Sequence, residues 1–305
     1  MKKIISVIVC VICVICGYAQ QDPQYSQYMV NPLALNPATA GSRDVLSTSM
    51  LYRDQWMDID GEPRTASLSV QMPLRKKRIG LGAEIISDKL GPKNVSAFLL
   101  SYAYRIPLKK GTLSFGLRTG IYNYTFDLSK IHAQTMDDIV YNKGISSSKT
   151  TGTGDFGMYY CSRTFYWGMG MTHLFKGKIT DGSGDSSARQ VTHWFIPIGK
   201  AYQVGNTVIN PSILIKAAGQ APPAIDLSIN VLLKERFWIG LSARFGYGTV
   251  FLAQYLIKDN MKVGYSFDYG SGSNKIGKAG GGTHEIMIGY DLNVRGTKMA
   301  MPRYL

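Results

Sequence analysis

The side chains with the widest chemical repertoire are few and scattered. Four histidines, His132, His173, His193 and His284, include no HExxH-type pair, and no GxSxG turn offers a serine nucleophile. The nearest thing to an acid/base pair is "THE" at 283–285. On a strand, however, His284 and Glu285 point to opposite faces. The acids of "TDGSGDSS" at 180–187 and "MDD" at 136–138 lack the ligand spacing of a calcium loop and read as solvated loop carboxylates. No enzymatic activity, metal site or cofactor is expected.

Cysteine usage agrees. Of the four cysteines, Cys10, Cys13 and Cys16 fall within the first nineteen residues. There Lys2 and Lys3 precede an apolar run from Ile4 to Cys16, broken only by Ser6 and followed by Gly17 and Ala19. The run is too short for a lasting transmembrane helix, and its order is that of a secretory signal over residues 1–19, cleaved after Ala19. A lipoprotein reading would acylate Cys16, but Ile15 is bulky where that processing site needs a small residue. Export leaves Cys161 alone, with neither a disulfide framework nor a thiolate metal site. No later apolar run approaches eighteen residues, so helical spans are not expected.

What remains has a period of two. In "MKVGYSFDYG", Met261, Val263, Tyr265, Phe267 and Tyr269 share one face, while Lys262, Gly264, Ser266, Asp268 and Gly270 share the other. "LSFGLRTGIY" opposes Leu113, Phe115, Leu117 and Ile121 to Ser114, Gly116, Arg118 and Gly120. Fourteen such segments are expected, at 46–55, 64–73, 78–88, 94–106, 111–124, 152–162, 164–174, 190–202, 206–216, 223–234, 236–247, 249–258, 260–270 and 283–293. Each is about ten residues long, as a tilted membrane strand requires. Pro197 and Pro211 fall inside two of them, where bulges or irregular pairing are expected.

The expected fold is therefore all-β, a transmembrane antiparallel β-barrel of about fourteen strands, with an irregular N-terminal periplasmic or plug segment. A soluble all-β exoprotein is the competing reading. Tyr102, Tyr104, Trp167, Trp194, Trp238, Tyr247, Tyr255 and Tyr269 lie mostly near segment ends, suiting a membrane interface. Long connections at 56–63, 125–151, 175–189 and 271–282 are assigned outside. The short turns "RKKR", "PLKKG", "CSRT", "QVG", "KER" and "KDN" are assigned to the periplasmic side. Predicted inward charges are mixed, with Arg53, Arg118, Arg244 and Lys262 against Glu84, Asp226, Asp268 and Glu285; Asp291 also falls on the inner register. They would line water in a porin or small-solute channel, or pair across a closed lumen.

Formal net charge is +14, and +12 once Lys2 and Lys3 are removed. Much of the excess falls on the expected periplasmic rim, at Arg75, Lys76, Lys77, Arg78, Lys109, Lys110, Lys234 and Arg236. Such a rim attracts an acidic partner or anionic headgroups. Nucleic acid is not expected, since export removes it from reach and no binding motif accompanies the charge. Residues 20–45 precede the barrel (46–293), and 294–305 form a tail expected in the periplasm. In "QDPQYSQYMVNPLALNPATAG", Asn31, Asn36 and Pro37 favour tight turns, while Tyr25, Tyr28 and Met29 can pack without a sheet. A plug or docking segment is expected here, in contrast to a disordered lead-in.

That opening, with "LYRDQW", "GEPRTASLSVQMPL", "GLGAEIISDKLGP", "SYAYRIPL", "LSFGLRTG" and "THEIMIGYDL", resembles the PorP/SprF family of type IX secretion system outer-membrane proteins, in order along nearly the whole chain. The resemblance implies an outer-membrane barrel of the Bacteroidota that works with the type IX export and gliding machinery. It also implies partners: periplasmic ring proteins, a peptidoglycan-binding protein, and exported substrates with C-terminal signal domains.

The assigned orientation is testable on intact cells. Cysteine introduced by Lys76→Cys or Lys109→Cys should resist a membrane-impermeant thiol reagent, while Ser147→Cys and Ser273→Cys should react. The opposite labelling pattern inverts the barrel.

Overall fold

The computed structural model describes residues 23–74, 78–127, 147–179, 188–219, 221–257, 260–271 and 280–293. Fifteen strands follow one another as β1 (Leu46–Gln55), β2 (Arg64–Leu74), β3 (Ile79–Leu90), β4 (Lys93–Leu108), β5 (Gly111–Phe126), β6 (Ser147–Cys161), β7 (Phe165–Thr172), β8 (His193–Lys200), β9 (Tyr202–Val204), β10 (Thr207–Ala218), β11 (Ala224–Leu233), β12 (Phe237–Arg244), β13 (Gly248–Ile257), β14 (Met261–Gly270) and β15 (Thr283–Leu292). Each pairs antiparallel with its neighbours, and β1 pairs with β15 from Leu46↔Leu292 to Gln55↔Thr283. That seam closes the sheet. β8 and β9 are halves of one strand, since both face β10 in a single register, with Ser212↔Gly199 and Ile209↔Tyr202. The closed barrel therefore has fourteen strands.

All fourteen expected segments appear as strands, with β6 beginning at Ser147, five residues before the expected start. The two prolines act as missing donors and insert no extra residue. The β7–β8 ladder skips from Trp167↔Ile198 to Gly170↔Phe195 beside Pro197, and pairing with β10 lapses at Lys200 and Ala201, opposite Pro211 and Asn210. Register is the same on either side of each gap, so of the two forms expected, bulges or irregular pairing, the structure shows irregular pairing.

Alternation decides the faces. On β14 the odd-numbered side chains point out and Lys262, Gly264, Ser266 and Asp268 point in, as the burial pattern records. Large apolar residues cover the outside, as at Leu117, which is 61% exposed to the surroundings, and at Ile121, Phe251 and Tyr269. A surface this apolar suits lipid. Tyr102, Tyr104, Trp194, Tyr255 and Tyr269 lie on it. Two expected belt residues do not. Trp238 faces inward against Ala201, Val208 and Leu232, and Tyr247 turns in to Thr283, its ring beneath the Arg244 guanidinium. Both even-numbered Trp238 and Arg244 sit on one face of β12, so the period already placed Trp238 inside.

Connections alternate between two ends. At the end where β1 begins and β15 finishes, called the lower end below, successive strands are separated by at most four residues: 75–78, 109–110, 162–164, 205–206, 234–236 and 258–260. The upper end carries the long connections, although β3 and β4 are joined there by Gly91 and Pro92 alone. Residues 128–146, 180–187 and 272–279, with "MDD" and "TDGSGDSS", lie outside the described residues. No described helix is long and apolar enough to cross a membrane.

A charge on the outer face should be costly. Leu117→Arg, midway along β5, is expected to destabilise the barrel by about 2–4 kcal/mol in reversible urea unfolding from lipid vesicles. The same change at exposed Lys109 in the lower turn should fall within about 0.5 kcal/mol.

Candidate functional site: the plugged lumen

The chain before β1 fills the barrel. From Leu46 at the lower end, residues 45 back to 23 climb the lumen, and Tyr25, Tyr28, Leu33, Asn31, Asn36, Pro37 and Ala38 are all buried, Met29 partly so. Two 3-10 turns, Pro32–Ala34 and Pro37–Thr39, shape the path. Each opens with proline, whose fixed φ suits a first helical position. Asn36 caps the second turn, its Oδ1 accepting from the Ala38 N–H at 2.9 Å, while its Nδ2 donates to the Met158 carbonyl at 2.9 Å. Burial pushes the Tyr25 and Tyr28 hydroxyls above their usual range, reinforced at Tyr25 by Glu84, so both rings stay neutral.

The wall is cut to receive this backbone. A Cβ at Gly116 would lie 2.2 Å from the Ala38 nitrogen, at Gly80 1.9 Å from the Ala40 oxygen, at Gly170 2.1 Å from the Leu35 oxygen, and at Gly264 2.2 Å from Gln27 Oε1. Those contacts span β3, β5, β7 and β14, so the plug touches the wall around the circumference.

Charge holds its upper end. Arg53 donates to Asp268 at 2.7 Å, to Glu285 at 3.0 Å and to the Ser26 hydroxyl at 2.7 Å. Glu285 also accepts the backbone N–H groups of Ser26 (2.9 Å) and Gln27 (2.7 Å), and the Ser26 hydroxyl donates to Asp268 at 2.8 Å. Arg244 joins Asp268 to Asp226 at 3.2 Å each, and Lys216 reaches Asp226 at 2.9 Å and Gln24 Oε1 at 3.2 Å. Three cations thus meet three carboxylates, all buried. A second group sits further round: Arg118 pairs with Glu84 (3.3 Å) and Asp155 and donates to the carbonyls of Leu33 (3.1 Å) and Ala34 (3.3 Å). At the lower end Arg105 pairs with Asp44 at 2.8 Å, and Arg43 and Lys262 share Asp291 at 3.2 and 3.4 Å.

Of the nine expected inward charges, eight are buried and Asp291 is partly so, and all nine enter these networks. Asp155, Lys216 and Arg105 were missed, although their inward register on β6, β10 and β4 marked them. Ser26 and Gln27 carried no signal, because nothing local shows which carboxylate a backbone N–H will meet. His284 and Glu285 do point apart: the His284 ring meets the Tyr265 hydroxyl at 2.7 Å on the outer face. Cys161 is buried. Among the described residues no three histidine, cysteine or acidic side chains gather as a metal-ligand set.

The basic rim is a separate feature. Arg78, Lys109, Lys110, Lys234 and Arg236 are exposed in turns at the lower end. Arg75, Lys76 and Lys77 lie outside the described residues. Lys234 and Glu235 both hold left-handed backbone, φ 50° and 56°, at a turn where glycine or asparagine is usual.

A lipid-facing barrel closed by its own N-terminal segment defines the class: an outer-membrane β-barrel whose lumen is occupied. The chain belongs to the family described as type IX secretion system membrane protein PorP/SprF, whose model matches residues 17–290. It is thus an outer-membrane component of type IX secretion. No curated protein matches it. Among solved structures it resembles the CymD monoaromatic hydrocarbon channel, with 12% identity, 91% of this chain and 95% of that one covered, and a TM-score of 0.53. The outer membrane protein Omp33 of Acinetobacter baumannii is similar at 9% identity, with 82% and 99% covered and a TM-score of 0.46. Identities this low speak to the fold alone.

Two substitutions separate the plug from the wall. Gly116→Val should leave a heat-modifiable barrel while exposing residues 23–45 to protease, because its side chain occupies the space of the Ala38 backbone. Arg53→Met, which strips Asp268 and Glu285 of their shared cation, should cost about 3–5 kcal/mol in unfolding experiments and increase hydrogen exchange at Ser26 and Gln27.

Proposed function

We propose that this protein is a non-conducting, non-enzymatic docking barrel of the type IX secretion and gliding machinery. Its lower rim receives periplasmic ring and peptidoglycan-binding proteins, and it helps to export or surface-anchor substrates with C-terminal signal domains. Residues 1–19 are a cleaved leader, 20–45 the plug, 46–293 the barrel and 294–305 a periplasmic tail. The observation that carries this reading is the occupied lumen. With the interior filled by buried, mutually neutralised charges, the surfaces left for work are the two rims and the lipid face. The lower rim is basic, and the strained Lys234–Glu235 turn keeps a charged side chain where a smaller residue would relax the backbone.

A porin or solute channel is the second reading, favoured by the fold shared with a hydrocarbon channel. It requires residues 23–45 to leave the lumen. Single-channel recording in planar bilayers distinguishes the two: the docking barrel gives no steady current, and large steady currents establish the channel.

Docking is tested by affinity capture from mildly solubilised outer membranes. Recovery of type IX ring proteins or exported adhesins is expected. Replacing Arg75, Lys76, Lys77 and Arg78 together by Ser should weaken that recovery in a salt-sensitive manner while the barrel still assembles. Unchanged recovery assigns these charges to lipid headgroups. Deletion of Gln21 to Ala40 should leave an assembled barrel that no longer supports export, and repeated recovery of the barrel alone by the wild type would overturn the docking role.

A further inference from the structure

In the lower half of the lumen, the walls and the N-terminal segment together border a partly open cavity of about 140 Å³. A dry apolar cavity of about 150 Å³ accepts one benzene ring, so the space matches a single ring or a short branched chain. Tyr28 and Leu35 of the plug bound it on one side, and Tyr166, Trp238 and Leu252 on the other. Its charged lining is Arg43, Lys262 and Asp291, beside the amides of Asn210, Asn230 and Gln254.

Charge is unbalanced there. The upper network matches three cations with three carboxylates, and Arg105 pairs with Asp44. Arg43 and Lys262 must share Asp291. Lys262 is 6% exposed, and its ammonium, with three protons to donate, makes one long contact of 3.4 Å among the described residues. A buried cation so placed favours an added anion. The wall also makes room for it: a Cβ at Gly289 would fall 2.3 Å from Lys262 Cε, so glycine there allows the lysine stem to lie across the neighbouring strand. The structure holds a cationic group at one end of an apolar cavity the size of one ring.

We infer that this cavity binds a small amphipathic carboxylate, an aromatic or short branched body bearing one acid group, with the acid at Lys262 and Arg43 and the body against Trp238 and Leu252. The lining Asn260 and Asp291 lie at the lower end of the barrel, so the ligand enters from the side of the basic rim. The site depends on the seated plug, which supplies Tyr28, Leu35 and Arg43, and is independent of any docking role.

The test uses the full mature chain in lipid nanodiscs, titrated calorimetrically with phenylacetate and with its uncharged isostere phenylacetamide. Saturable one-to-one binding of phenylacetate is expected, at least tenfold tighter than the amide. Leu252→Trp, which fills the cavity, should abolish it. Lys262→Met should bring acid and amide within about threefold of each other, and Gly289→Ala, which displaces the ammonium without touching the apolar wall, should reduce the preference in the same direction. Heat-modifiability verifies that each variant is folded; should Leu252→Trp not assemble, Gly289→Ala and Lys262→Met carry the test. The inference is overturned if the wild type shows no saturable phenylacetate binding, if acid and amide bind equally, or if folded variants bind as the wild type does.

Discussion

The interior of this barrel is organised by the cost of leaving a charge unpaired in a closed space. Arg53, Arg244 and Lys216 face Asp268, Glu285 and Asp226 across the upper lumen, and each is nearly or fully buried. In an open lumen water would solvate them. Once residues 23–45 displace that water, every carboxylate must find a donor, and the plug supplies several: the N–H groups of Ser26 and Gln27 on Glu285, and the Ser26 hydroxyl on Asp268. Buried ion pairs are often no more stable than well-packed apolar residues, whereas breaking one is costly. The network therefore acts mainly on position. It gives the plug one height and one rotation in a tube whose apolar contacts alone would allow several.

Shape complements charge along the same strands. β5 presents Gly116 and Arg118 to the lumen and Phe115 and Leu117 to lipid. Arg118 reaches the carbonyls of Leu33 and Ala34 at the end of one 3-10 turn, while Gly116 lets the next turn approach to within the space a methyl group would need. Each strand thus meets two opposite demands, bulk outside and either a vanishing or a charged side chain inside. The period of two is what permits both to be met in one segment.

Period-two alternation is local, and for that reason the strands, their faces and the inward charges could be read from the chain. It also placed Glu285 inside and His284 outside, which disposed of a catalytic pair. The partners of those charges were not legible. Ser26 and Glu285 are 259 residues apart, and no local pattern links them. Aromatic position near a segment end proved a weaker guide than parity: Trp238 and Tyr247 sit near strand ends yet turn inward, Trp238 because its register is that of Arg244. The prolines were located correctly and the irregular pairing expected beside them occurs, without a bulge, since a missing N–H can be absorbed by leaving ladder positions unpaired without adding a residue. Turn chemistry in the plug was legible at Asn36 and Pro37, because an asparagine cap and a proline start act on their immediate neighbours.

The order of assembly follows from which strands the plug touches. The anchors of Ser26 and Gln27 are on β14 and β15, the last strands of the chain, and those of Leu35, Asn36 and Ala38 on β5, β6 and β7. An open sheet already carries both sets, but they surround one lumen only after β15 has paired with β1, so the full seat exists only in the closed barrel. Because the plug joins β1 at the lower end, it can enter a completed barrel from that side without threading a free end through the wall. Before entry the lumen is polar and can hold water, so the unplugged barrel has no unsolvated charge; after entry the same charges are satisfied by the plug. The groups that hold the seated plug are Arg53 with its partners at the top and Arg43, Lys262 and Asp291 at the bottom.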